Sequence, residues 1–230
     1  MNAPEAKSAP VKKIYVAFDI EKTGSLFSHP INSIGVCVGD DQAVLQKFRI
    51  NIDVKWPDRL LVTGGTENAL LVRDYGDFEP RCWEEFWSKQ PDSLIALLRF
   101  QAQPAEDAAK RFRTWLDGLE EQYPAKTHKL VFLSDNASFD IASLDHFLEQ
   151  FTGRIPLRYS TAGKYRSLKA PDDMLAMLPD DFVKWAIKEQ IDPLVHHDHD
   201  PANDAEHIYR QYLLALKYRP LAPQVFATIV

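Results

Sequence analysis

Past a short polar N-terminus, the chain opens its first apolar run at Ile14-Tyr15-Val16-Ala17-Phe18. That run passes without a break into Asp19-Ile20-Glu21. β-Branched and aromatic residues in such a run predict a strand over Ile14–Asp19. Side chains two apart on a strand share a face, so Asp19 and Glu21 stand together at its end. Asn32–Val38, reading N-S-I-G-V-C-V, predicts a second strand. Gly39-Asp40-Asp41-Gln42 supplies a turn, and Val44–Ile50 alternates as a third strand. Three strands in succession predict an antiparallel start to a sheet.

The pattern then loses its period. From Trp56 to about Pro104 turn signals recur (Gly64-Gly65, Gly76, Pro80, Pro91), and Trp83, Phe86 and Trp87 fall at helical spacing. Those three rings are either the buried face of a short helix or an aromatic surface on which bases could stack. Periodicity returns at Ala105–Gln122, where Ala108, Phe112, Trp115, Leu116 and Leu119 form one apolar face and Pro124 ends the helix. Lys129–Ser134 predicts a buried strand with a helix on each side. After it, Asp135, Asn136 and Ser138 favour a helix start, and Ile141, Leu144, Phe147 and Leu148 continue at helical spacing. Pro156–Tyr159 predicts another short strand, and Leu175–Leu178 and Phe182–Gln190 predict short helices around Pro179. Asp200-Pro201 opens the last helix as cap and first-turn proline. Ala205, Ile208, Tyr209, Tyr212, Leu213 and Leu216 carry its apolar stripe, and Lys217, Arg219 and Pro220 close it.

Composition bounds the function classes. With 230 residues, 45% hydrophobic and 26% charged, the chain suits one globular domain over 11–220 with an insertion at about 56–104, flanked by tails at 1–10 and 221–230. No apolar run reaches the length of a membrane-spanning helix, and the N-terminus has no apolar core of a signal peptide. Cys37 and Cys82 form no CxxC pair, so the expectation is free thiols in a reducing, cytoplasmic setting. A net charge of −6 argues against a broad nucleic-acid-coating surface but leaves room for a local grip on phosphates. Arg154, Arg158, Lys164, Arg166 and Lys169 lie in a stretch without Asp or Glu, either a solvated loop or a phosphate-contact patch.

Three carboxylate positions sit at element ends: Asp19 with Glu21, Asp140, and Asp204, with His199 five residues before Asp204. Paired carboxylates repel, and a common reason to build such a pair is to hold a hard divalent cation. Each has a plain alternative. The D-x-E can be ordinary surface acids, Asp204 a first-turn acid favoured by the helix dipole, and His196, His197, His199 and His207 a zinc cluster, although no Cys lies near them.

Taken in order, F-D-I-E-K-T-G (18–24), S-D-N-A-S-F-D (134–140) and H-D-P-A-N-D-A (199–205) resemble the three motifs of the DEDDh 3′–5′ exonucleases, a branch of the RNase H-like superfamily. The second motif departs in carrying Asp135 where the family often has His, which also makes Asp135 a rival to Asp140. The resemblance implies an α/β fold with a mixed five-stranded sheet and helices on both faces. It implies two Mg²⁺ or Mn²⁺ ions, bridged by Asp19, with Glu21 and Asp204 completing one site and Asp140 the other. His199 would be the general base, and the substrate the 3′ end of single-stranded DNA or RNA, cut to nucleoside 5′-monophosphates. Thr23, Gly24, Asn136, Phe139, Arg154, Arg158, Lys164 and Arg166 are candidate substrate contacts. A catalytically silent nucleic-acid- or protein-binding module is the alternative. The 56–104 insertion falls outside the resemblance, and substrate choice has room to be set there.

Overall fold

The computed structural model describes residues 11–57, 59–61, 70–72, 74–136, 139–153, 166–169, 171–176 and 178–218. Strand β1 (Lys12–Lys22) is central. It pairs antiparallel with β2 (Ile31–Gly39), which pairs antiparallel with β3 (Val44–Asn51). On its other edge β1 pairs in parallel with β6 (His128–Leu133), and β6 with β7 (Arg166–Lys169), giving the order β3-β2-β1-β6-β7. The expected positions of the first three strands and of the Lys129–Ser134 strand match, to within a few residues. The last strand is placed differently: β7 lies in what reads in sequence as a basic patch. The predicted strand at Pro156–Tyr159, the two tails and the side chains of Arg154, Arg158, Lys164 and Arg166 lie outside the described residues. A second, two-stranded sheet, β4 (Arg59–Leu61) with β5 (Leu70–Val72), was not expected.

Strand alternation decides which helix covers which face. Ile14, Val16, Phe18 and Ile20 point to one side and are buried against α3 (Ala105–Gln122) and α4 (Asp140–Thr152) through Phe112, Leu116, Ile141, Leu144 and Leu148. Tyr15 and Ala17 point to the other, where α7 (Pro201–Tyr218) covers them with Ala205, Ile208, Tyr209 and Tyr212. Asp19 and Glu21 continue the Tyr15–Ala17 parity, which directs them to the α7 side. Parallel pairing of β1 with β6 stops at Ala17–Leu133, so Asp19 and Glu21 project past the end of the neighbouring strand. A register shift between Glu21 and Lys22 interrupts the ladder with β2 just before its last pair, Lys22–Ile31.

The insertion has its own small core. Helices α1 (Pro80–Glu85) and α2 (Asp92–Arg99) and a 3₁₀ turn at Trp87–Lys89 pack Phe78, Trp83, Trp87, Leu94 and Leu98 together with Val54. The open question over its three rings is resolved by dividing them. Trp83 and Trp87 are fully buried, while half-buried Phe86 ends α1 and turns toward His199. Helices α5 (Pro171–Leu175) and α6 (Asp180–Gln190) pack on the outer side of α7.

Candidate functional site

Three segments far apart in sequence meet at the end of β1. Asp19, Asp135 and Asp140 each offer a carboxylate oxygen within 4.8 Å of the others. So do Asp19, Glu21 and Asp204, and Asp19 belongs to both groups. Asp140 and Asp204 are 3% and 1% exposed and Glu21 is 9% exposed, so this is no solvated acidic face.

Each carboxylate is aimed by local structure. The Ser134 hydroxyl, just beyond β6, donates to Asp140 Oδ2 at 2.6 Å. The Asn136 carbonyl accepts the N–H groups of Phe139 and Asp140 at 2.9 and 2.8 Å, closing the turn that starts α4. Asp204 accepts the backbone N–H of Asp198 on Oδ1 (3.0 Å) and of His199 on Oδ2 (3.1 Å). The turn before α7 is itself anchored, because Arg49 Nη1 on β3 donates to both carboxylate oxygens of Asp200 at 2.8 Å. Asp200 Oδ1 also accepts the Ala202 N–H, the cap expected from Asp-Pro. His199 closes that turn with φ +62°, a left-handed conformation uncommon for a residue with a side chain. The constrained turn sets the imidazole with Nδ1 3.6 Å from Glu21 Oε1 and edge-on to Phe86, ring centroids 4.8 Å apart.

Burial raises the carboxyl pKa values. Desolvation pushes Asp19 well above the usual carboxylate range, and the charges of Glu21, Asp140 and Asp204 push the same way. Glu21 is raised by burial against the opposing pull of His199. Asp140 is pushed up to about 8 by burial, partly opposed by the Ser134 hydrogen bond. Asp204 is pushed up to about 6, again by burial. His199 is raised by its hydrogen bond to Glu21. Among the described residues, the ion-pair partners of these four acids are histidines, not Lys or Arg. A buried, all-oxygen, mutually repelling donor set is what a hard divalent cation relieves, so the residues present fit such ions.

The remaining candidates divide. Gly24 is required by space: a Cβ there would stand 2.2 Å from the His29 ring, whose Nδ1 accepts the Leu26 N–H and holds the loop. Thr23 is fully buried, its N–H and Oγ1 both bonded to the Pro30 carbonyl. Phe139 is half-buried beside the site, with Lys22 Nζ 4.9 Å from its ring. Two residues were underrated. Asp135, weighed in sequence as a helix-start residue and as a rival to Asp140, joins it within reach of Asp19. His197, weighed in sequence as a member of a zinc cluster, stands with Nε2 3.6 Å from Asp204 Oδ2.

A family model described as the 3′–5′ exoribonuclease Rv2179c-like domain matches residues 14–214, a span that contains every residue of this site. No match to a curated protein was found.

Proposed function

We propose, on the premise that this chain belongs to the Rv2179c-like 3′–5′ exoribonuclease family, that it is a metal-dependent exoribonuclease of the DEDDh type, shortening single-stranded RNA from its 3′ end. The observation that carries this reading is the convergence of Asp19, Glu21, Asp140 and Asp204, from three distant segments, on one buried point beside His199. The strand order, with three antiparallel strands followed by strands parallel to β1, supports an RNase H-like fold.

Asp19, shared by both acidic groups, would bridge two Mg²⁺ or Mn²⁺ ions. Glu21 and Asp204 would complete one site, and Asp140, with Asp135 beside it, the other. Bound there, the ions supply a Lewis acid to the scissile phosphate, lower the pKa of the attacking water and stabilise the leaving 3′ oxygen. His199 acts as the base. Its Nδ1 faces Glu21, which leaves Nε2 as the nitrogen that takes the proton. Asp204 holds its orientation through the two backbone N–H groups, and Ser134 does the same for Asp140. Gly24 and Phe139 border the space the terminal nucleotide would enter.

Digestion of 5′-labelled single-stranded RNA in Mg²⁺, in Mn²⁺ and in chelator tests the reading. The expected result is a ladder shortening from the 3′ end, nucleoside 5′-monophosphate product, no reaction in chelator and no cutting of a circular RNA. Cutting of the circle would make the protein an endonuclease. RNA binding without hydrolysis in either metal would favour the silent module.

A further inference from the structure

The insertion is fastened to the end of β1. The Glu79 N–H donates to the Thr23 carbonyl at 2.9 Å, and the buried Trp87 Nε1–H donates to the Lys22 carbonyl at 2.9 Å. Between this segment and β1 runs a cleft of about 460 Å³, bordered by Glu21, Gly24, Ser25, Glu79, Phe86 and Phe139. That volume lies within the range of small-molecule sites, about 300–1,000 Å³. Among its lining residues is Glu21, an acid of the proposed catalytic group. Two of its lining side chains are phenyl rings, Phe86 from the insertion and Phe139 from the turn before Asp140. Aromatic rings of this kind are platforms on which any nucleobase can stack.

Glu79 is out of place for a phosphate site, since its charge repels an anion. A carboxylate instead suits a hydroxyl, and an acid that accepts from a ribose 2′-OH is how dinucleotide folds read that group. Glu79 is already positioned for this. Ser25 donates to its Oε2 through both N–H (3.2 Å) and Oγ–H (3.1 Å). Both contacts fall on Oε2, and among the described residues none is made by Oε1, which can serve a ligand. The Ser25 hydrogen bonds also lower the Glu79 pKa, keeping it ionised and a strong acceptor.

We propose that this cleft seats the 3′-terminal nucleotide, its base against Phe86 and Phe139, and that Glu79 accepts a hydrogen bond from the terminal 2′-hydroxyl, so that the insertion selects RNA over DNA. The proposal rests on the nuclease reading above for the position of the terminal phosphate. It goes beyond that reading in naming the group that tells ribose from deoxyribose.

Two measurements test it. The first is kcat/KM on a single-stranded RNA and on the same RNA ending in one 2′-deoxynucleotide. The wild type is expected to favour the all-ribose end by about 10–100-fold, the usual worth of a hydrogen bond to a charged group. In Glu79→Ala that ratio falls toward one. In Glu79→Gln, whose amide oxygen still accepts, part of it survives. Because the ratio is taken within each variant, general damage to the fold lowers both rates and leaves the ratio in place. The second is equilibrium titration with adenosine 5′-monophosphate and its 2′-deoxy analogue in Mg²⁺, which reads the cleft whether or not the chain cleaves RNA. Equal affinity of the wild type for the two nucleotides overturns the proposal. So does a Glu79→Ala variant that keeps the wild-type preference. A preference for the ribonucleotide, lost in Glu79→Ala, supports it even if no RNA is degraded, in which case the nuclease reading alone falls.

Discussion

Gly35→Ala is expected to cripple the site without touching any of its polar groups. Gly35 sits on β2 directly opposite Asp19, and the first turn of α7 lies on it. A Cβ built at Gly35 would stand 1.9 Å from the carbonyl carbon and oxygen of Pro201 and 2.4 Å from the amide nitrogen of Ala202. These are backbone atoms, so no side chain can swing aside. Ordinary contact begins at 3.4 Å, and the start of α7 must therefore retreat by about 1.5 Å, from 3.4 minus 1.9. Asp204 and His199, three residues after and two before Pro201, travel with it. Misplacing a catalytic group by 1 Å can cost about 10²-fold in rate, so turnover on end-labelled RNA at saturating Mg²⁺ should fall by at least about that factor. The added methyl should also destabilise by about 1–3 kcal/mol, which for a domain of this size lowers the melting temperature by about 2–4 °C per kcal/mol. Gly118→Ala, in α3 with nothing within 4 Å of the new methyl, is the control. It should gain about 0.5–1 kcal/mol from helix propensity and keep full activity. A folded Gly35→Ala protein with near-normal turnover would refute the reasoning, as would an activity loss that disappears on cooling below the melting transition.

Mg²⁺ or Mn²⁺ should raise the melting temperature, because ions that bind only the native state stabilise it by mass action. Asp19→Asn should lose most of that response, and a wild-type melting curve indifferent to millimolar Mn²⁺ would count against the site. In chelator, stability should fall as pH rises from about 5 to 8. Carboxyls whose folded pKa is raised, to about 8 for Asp140 and about 6 for Asp204, favour the fold while protonated and lose that contribution as pH climbs through those values. The raised pKa of His199 acts in the same direction. Scanning fluorimetry that finds the metal-free protein more stable at pH 8 than at pH 5 would reverse this sign. His199→Ala should lower turnover by about 10²–10⁴-fold with metal binding largely kept, the usual worth of a positioned base. His197→Ala, whose ring reaches Asp204 and not Glu21, should lower it less, and the opposite ranking would move the base to His197.

Features written in local pattern were legible. The apolar run of β1 with two acids at its end, the bounds of α3 and the stripe of α7 all follow from spacing alone, and they place Asp19, Glu21 and Asp204. Features made by tertiary contact were not. Helical spacing of Trp83, Phe86 and Trp87 carries no sign that α1 stops at Glu85, which is what sends Phe86 toward His199 and leaves the tryptophans in the core. Arg166-Ser167-Leu168-Lys169 lacks the alternation that marks a strand, and it is one only because the open edge of β6 pairs with it. His197 precedes the helix cap, and nothing local shows that the turn through His199 brings its ring back over Asp204. Glu79 stands before a proline in an aperiodic stretch, and its meaning depends on Ser25, 54 residues earlier.

That α7 supplies all four buried helix residues over the Tyr15–Ala17 face among the described residues, Ala205, Ile208, Tyr209 and Tyr212, has a consequence for how the protein is made. Synthesis proceeds from the N-terminus, and domains complete themselves as their parts emerge. Until residues 199–218 leave the ribosome, Tyr15, Ala17, Cys37, Val131 and Leu133 lack the α7 side chains that bury them, and His199 and Asp204 have not yet appeared. The segment that seals the core is thus the same one that brings His199, the proposed base, and Asp204. A partly translated chain should be sticky and, on the proposed function, inert. On the proposed function, the step that removes its aggregation hazard would also arm it, so no nascent intermediate should be both compact and able to attack RNA nearby, its own message included.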